Sequence, residues 1–137
     1  MAVLVDTNFL VAMGSVSDTN HTIAENLMKD FGGIRIIPEP VLPEMFYMLT
    51  QRAGYTSARQ IFKRIRSSGF QIEPLTDDDM DRMEAIMADY ADNQFDFVDV
   101  ALMAMAERLD VCEIYTFDHR DFMVYRPPHC EFFELLP

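Results

Sequence analysis

The chain has 137 residues, half of them hydrophobic, and 23 acidic against 11 basic side chains give a formal net charge of −12. That length supports one hydrophobic core and not two, so a single domain over residues 1–137 is expected. The charge repels a polyanion at long range, and any nucleic-acid function would have to work against that mean field. The apolar opening MAVLVDTNFLVAM is interrupted by Asp6, has no basic lead-in and falls short of the roughly 20 residues that span a bilayer. A soluble, unprocessed, cytoplasmic protein is expected. Cys112 and Cys130 make no CxxC pair and no zinc-ligand spacing with His21, His119 or His129, which predicts free thiols in a reducing compartment.

In chain order, AVLV is a continuous apolar run ended by Asp6, the pattern of a strand buried on both faces of a parallel sheet. A brief helix over NFLVAM should follow. Ile23, Ala24, Leu27 and Met28 predict a helix from Asp18 or Thr19 to Phe31, stopped by Gly32 and Gly33, and IRII is a second strand. Pro40 and Pro43 suit the first turn of a third helix, where a missing N–H costs little, with Gly54 closing it. Thr56 or Ser57 opens a fourth helix that runs to Ser67. The segment QRAGYTSARQIFKRIR holds Arg52, Arg59, Lys63, Arg64 and Arg66, five of the eleven basic residues, as a basic ridge or a solvated helix face.

FQIEP reads as a third strand, and Thr76 with Asp79 as a capping box for a fifth helix to about Ala91. Asp96 repeats that arrangement with Asp99 at the head of a sixth helix, which places Val98, Ala101, Leu102, Met105 and Leu109 on one face. CEIYTF is a fourth strand ended by Asp118, and CEFFELL a fifth. This alternation predicts a three-layer α/β/α domain with a mostly parallel sheet of about five strands. The eleven methionines fall at helical core spacing and are explained by packing.

The acids carry the chemical signal. Asp6 and Asp118 each follow a buried strand, and the carboxyl ends of parallel strands form the crevice where such sheets bind ligands; the competing reading is an ordinary turn or cap residue. Glu44 has Val41, Tyr47 and Met48 as its helical neighbours and no local cation. Helix capping accounts for one of Asp96 and Asp99, and gives no reason for both. If Asp6, Glu44, Asp99 and Asp118 converge, one like-charge pair at ~4 Å costs about 4 kcal/mol at an effective dielectric near 20. Hard divalent cations select such all-oxygen surroundings, and magnesium or manganese is the economical inference.

These segments resemble the PIN-domain nucleases, and within them the VapC-type toxins of toxin–antitoxin pairs. VLVDTNFLVA is similar to the family's opening strand with its first acid at Asp6, and PEMFYML to the helix with the second, Glu44. DFVDVALMAMAERL resembles the segment with Asp99 and its companion Asp96, and IYTFDHRDF the last motif, Thr116 before Asp118. The resemblance implies an endoribonuclease in which Asp6, Glu44, Asp99 and Asp118, with Asp96 beside them, hold one or two Mg²⁺ or Mn²⁺ ions. It further implies a homodimer, and an antitoxin that inserts a segment into the acidic site. Asn8 and Thr116 are expected to orient carboxylates or water, with local turn bonding as the alternative. Arg52, Arg59, Lys63, His119 and Arg120 are candidate RNA contacts. Three alternatives remain at this stage: a solitary PIN nuclease, a non-catalytic PIN-like binding protein, and an aspartyl-phosphate phosphohydrolase. The last wants a second Asp where Asn8 stands, and a late-strand lysine that is missing.

Overall fold

The computed structural model describes all 137 residues. Five parallel strands form one sheet in the order β3-β2-β1-β4-β5. They are β1 (Ala2–Val5), β2 (Ile34–Pro38), β3 (Gln71–Glu73), β4 (Glu113–Tyr115) and β5 (Glu134–Leu136). Val3, Leu4 and Val5 have no exposed surface, as a central strand covered on both faces requires. The chain winds outward from β1 through β2 to β3, then returns to lay β4 along the other side of β1, pairing Leu4 with Ile114 and Val5 with Tyr115. The order therefore reverses between β1 and β4. At such a switch point the connections leave in opposite directions and open a crevice beyond the strand ends.

Helices cover both faces. α1 (Thr7–Gly14), α2 (His21–Asp30), α3 (Val41–Ala53) and α4 (Tyr55–Ser67) pack on one another, and α5 (Asp77–Asp89), α6 (Phe97–Leu109) and α7 (Arg120–Val124) form a second group. The three-layer α/β/α expectation holds, and the sheet is wholly rather than mostly parallel. One contiguous core of 33 buried residues runs through it. No helix is long and apolar enough to cross a membrane.

Several local expectations are corrected. α2 begins at His21 because Asp18 spends its carboxylate on the Asn20 N–H at 2.8 Å, forming a turn and not a helical start. α4 starts at Tyr55, directly after Gly54, whose φ of +91° turns the chain sharply between α3 and α4. α5 stops at Asp89 and gives way to a 3₁₀ turn over Ala91–Asn93. β3, β4 and β5 are each only three residues long, shorter than the apolar runs that contain them. Burial on α6 is not confined to one face: Val98 and every residue from Val100 to Ala106 are buried, because α6 lies wedged between neighbours and its alanines let them approach. α7 was not anticipated, since five residues are too few to show a period. Both cysteines are free, as expected, but linear spacing hid their proximity to each other and to His129. Burial and the adjacent Cys112 push the Cys130 thiol up to about 12.

α5 and α6 are joined by a charge cluster. Asp79 is 2% exposed; its backbone N–H donates to Thr76 Oγ1 at 3.1 Å, its carboxylate accepts the Thr76 N–H at 3.0 Å, and Arg108 donates to both its oxygens at 2.8 and 3.0 Å. Burial raises the Asp79 pKa, but Arg108 and Thr76 outweigh it and leave the carboxyl below its usual value. Arg108→Ala should cost roughly 1–3 kcal/mol in urea unfolding, the penalty of a buried acceptor losing its charged donor. Because the folded pKa is depressed, this contribution is present above the ordinary value of 3.8 and fades as pH falls through the folded value, so the variant should lose less stability on acidification.

Candidate metal centre

Asp6 sits where β1 becomes α1. Its backbone is extended and its Oδ1 accepts the Thr7 N–H at 2.7 Å, so the N-cap fixes the carboxylate at the strand end with only 3% of its surface exposed. Oδ2 accepts the Thr116 hydroxyl at 2.9 Å across the β1–β4 gap. Thr116 Oγ1 also receives the Asp118 N–H at 3.1 Å and the Asn8 amide at 3.2 Å, while Asn8 Oδ1 accepts the Phe117 N–H at 2.8 Å. Asn8 and Thr116 thus bond turn backbone, and the side chains of both also reach Asp6 Oδ2.

Beyond these strand ends lies a cleft of about 480 Å³ lined by six carboxylates, Asp6, Glu44, Asp96, Asp99, Asp118 and Asp121. Met48 and Phe117 are its apolar members, and Arg120 is the one basic side chain lining it. Glu44 arrives from the first turn of α3 and Asp99 from the first turn of α6. The capping-box expectation at α6 is half right. Asp96 Oδ2 accepts the Val98 N–H at 3.2 Å, but Asp99 makes no return bond to Asp96 and faces Asp121 and Asp6.

The consequence is electrostatic. Burial lifts the Asp6 pKa to about 6, with Thr7 and Thr116 holding it down and the charges of Glu44 and Asp118 adding to the rise. Asp99 is pushed to about 9, by burial first, then by the neighbouring Asp121 side chain and by the charges of Asp6 and Asp96. At the rim Asp118 is held below its usual range, chiefly by Arg120, whose Nε and Nη2 reach its two oxygens at 3.1 and 3.0 Å.

Asp121 was not foreseen. Its signal was the spacing Asp118-x-x-Asp121, which becomes visible only once α7 is known to start at Arg120. Of the expected RNA contacts, Arg120 lines the cleft and His119 turns its Nε2 to the Thr116 carbonyl oxygen at 3.2 Å. Arg59 and Lys63, with Arg66, line a separate groove along α4, and exposed Arg52 ends α3. Arg64 of the predicted ridge is paired with Glu25 at 2.6 Å.

An acid-lined crevice at the switch point of a parallel sheet, with one arginine against six carboxylates, has the donor chemistry that hard cations select. The family model described as PIN domain matches residues 3–126, and the chain belongs to that family. The 23S rRNA-specific endonuclease VapC20 of Mycobacterium tuberculosis is 24% identical over 116 residues, covering 85% of this chain and 88% of the relative. The crystal structure of that sarcin–ricin loop cleaving toxin superposes with a TM-score of 0.79 at 23% identity, over 85% of this chain and 90% of that one. VapBC2 from Rickettsia felis, bound to a promoter DNA fragment, gives 0.71 at 14% identity, with 98% and 97% covered. PIN nucleases generally use divalent metal ions. The residues present here fit one: the carboxylates lining the cleft offer oxygen donors, and the pKa values of Asp6 and Asp99 are raised by burial and by the neighbouring acids, an excess of negative charge that a cation would offset.

For the metal-free protein the sign of the pH dependence follows. Acids whose folded pKa is raised bind more protons when folded, so stability should fall as pH rises from about 4 through about 6 for Asp6 and about 9 for Asp99. Thermal melts in chelator across this range should show the decline, and Asp99→Asn should flatten it and raise the alkaline melting temperature by several degrees. A pH-independent melting temperature would contradict the assignment.

Proposed function

We propose that this chain is a metal-dependent endoribonuclease of the VapC type, one nuclease domain acting in the cytoplasm as the toxin of a toxin–antitoxin pair. The observation that carries this reading is the convergence of Asp6, Glu44, Asp99 and Asp118 on one cleft from four separate segments of the chain. Those four would hold one or two Mg²⁺ or Mn²⁺ ions, with Asp96 and Asp121 beside them. A divalent cation there supplies a Lewis acid for the phosphodiester and lowers the pKa of a bound water.

The chain's own groups do the rest. Thr7 N–H and the Thr116 hydroxyl each hold one oxygen of Asp6, so its carboxylate cannot rotate away, and Asn8 braces the loop that carries Asp118. Asp99, its pKa raised by burial and by the acids around it, has to release its proton to act as an anionic ligand, so cation affinity should rise with pH. Arg120, fully exposed and bound to Asp118, is free to transfer to a phosphate oxygen when a cation replaces it at the carboxylate. The proposed products carry 5′-phosphate and 3′-hydroxyl ends.

RNA is the substrate class, and ribosomal RNA is the first to assay because the relative spanning most of this chain is named for cleaving 23S rRNA. The acidic cleft suits an inserted arginine from an antitoxin, and the likeness to toxin–antitoxin complexes supports such a partner. A homodimeric toxin is part of the same proposal. On total RNA with Mg²⁺ or Mn²⁺, Asp6→Asn and Asp99→Asn should each lower cleavage at least about 100-fold, the scale of losing one preorganised electrostatic element. Chelation should abolish it in the wild type. Cleavage that survives chelator, or is unchanged in both folded variants, would reject the reading.

A further inference from the structure

At the opposite end of the strands from the acid cleft, Cys112, His129 and Cys130 come together, with their ligating atoms all within 4.8 Å of one another. Cys112 is anchored where β4 begins, its carbonyl oxygen accepting the Glu134 N–H at 2.8 Å. His129 and Cys130 follow Pro127 and Pro128 in the segment that leads into β5. No side chain of the acid cleft takes part.

The imidazole supplies an independent observation. His129 Nε2 lies 2.8 Å from the Val111 carbonyl oxygen, which has no proton to give, so Nε2 carries the hydrogen and donates it. In its neutral form such a ring presents a lone pair at Nδ1. That atom is buried and has no hydrogen-bond partner. A buried acceptor left unpaired is costly and rare. Histidines that bind metal usually donate their other ring N–H to a backbone carbonyl or carboxylate, which fixes the tautomer in this way.

Two sulfurs and an imidazole are softer donors than the oxygens of the cleft, and they select zinc over magnesium or calcium. We propose that Cys112, His129 through Nδ1, and Cys130 form a zinc-binding site separate from the acid cleft. Water completes the four ligands. In a tetrahedral zinc site, ligand atoms are separated by roughly 3.5–3.8 Å, so the cluster has to contract by at most about 1 Å. The ion would clasp the start of β4 to the segment before β5. That same connection carries Asp118 and α7 at its other end, so the clasp would limit how far the rim of the cleft can move.

Cobalt(II) titration of the reduced full-length protein in excess Mg²⁺ tests this, because thiolate-to-cobalt charge transfer cannot arise from an all-oxygen site. The expected result is a charge-transfer band that saturates at one equivalent, is displaced by Zn²⁺ and persists in Asp6→Asn. Native mass spectrometry should count one zinc per chain. Cys112→Ser and Cys130→Ser should each abolish the band and weaken zinc binding more than about tenfold. A cobalt spectrum with no thiolate band overturns the proposal, as does a wild-type chain that takes up no zinc because its thiols stay free or pair as a disulfide. The wild-type spectrum decides the matter whether or not the serine variants fold.

Discussion

Like-charge crowding at the carboxyl ends of β1 and β4 is the constraint on which the rest of this structure turns. Asp6 cannot retreat from it, because the strand pairing that fixes Val5 against Tyr115 also fixes the residue that follows, and the Asp6 N–H bonds to the Tyr115 carbonyl at 3.0 Å. Asp99 cannot retreat either, being one turn into a helix buried on nearly every side. Two acids are thus presented to each other by elements that have no freedom to separate them. The protein meets the excess with the donors of Thr7 and Thr116, with a raised pKa at Asp99, and with Arg120 at the rim.

These three devices differ in strength. The donors on Asp6 are built into backbone and core, and no solvent competes for them. Arg120 is fully exposed, and its pairing with Asp118 is screened by water and salt, so it is the part of the arrangement that gives way most readily. The raised pKa of Asp99 lies between these extremes, since a positive charge placed beside it would lower it again. A site built this way is unfavourable alone and ready for a cation, the usual relation between strain at a site and stability supplied elsewhere. That stability resides in the 33-residue core and in buried ion clusters such as Asp79 with Arg108.

Much of this was legible from residue patterns. AVLV read as a doubly covered strand, and Thr76 with Asp79 as a capping box, because the causes are local: apolar continuity and a three-residue spacing. The alternation of strands and helices was enough for the layer architecture. Four of the cleft acids were visible because each follows or opens a predictable element, and Asp96 came with them. What escaped has non-local causes. α6 looked one-sided because its alanines are ambiguous until their neighbours are known, and Asp121 depends on a five-residue helix without periodic signal. The strand-end neighbours of Cys112 come from the β4–β5 pairing, which no spacing rule encodes. Charge density along α4 suggested one ridge, yet Arg64 is taken by Glu25 from another helix.

The most direct test of the central claim is to locate the cation. Anomalous diffraction at the manganese edge from crystals grown or soaked with Mn²⁺ should give a peak bounded by the carboxylates of Asp6, Glu44, Asp99 and Asp118, with the Arg120 guanidinium displaced from Asp118. Crystals saturated with Mn²⁺ that show no peak in the cleft, with Arg120 still bonded to Asp118, would contradict the account.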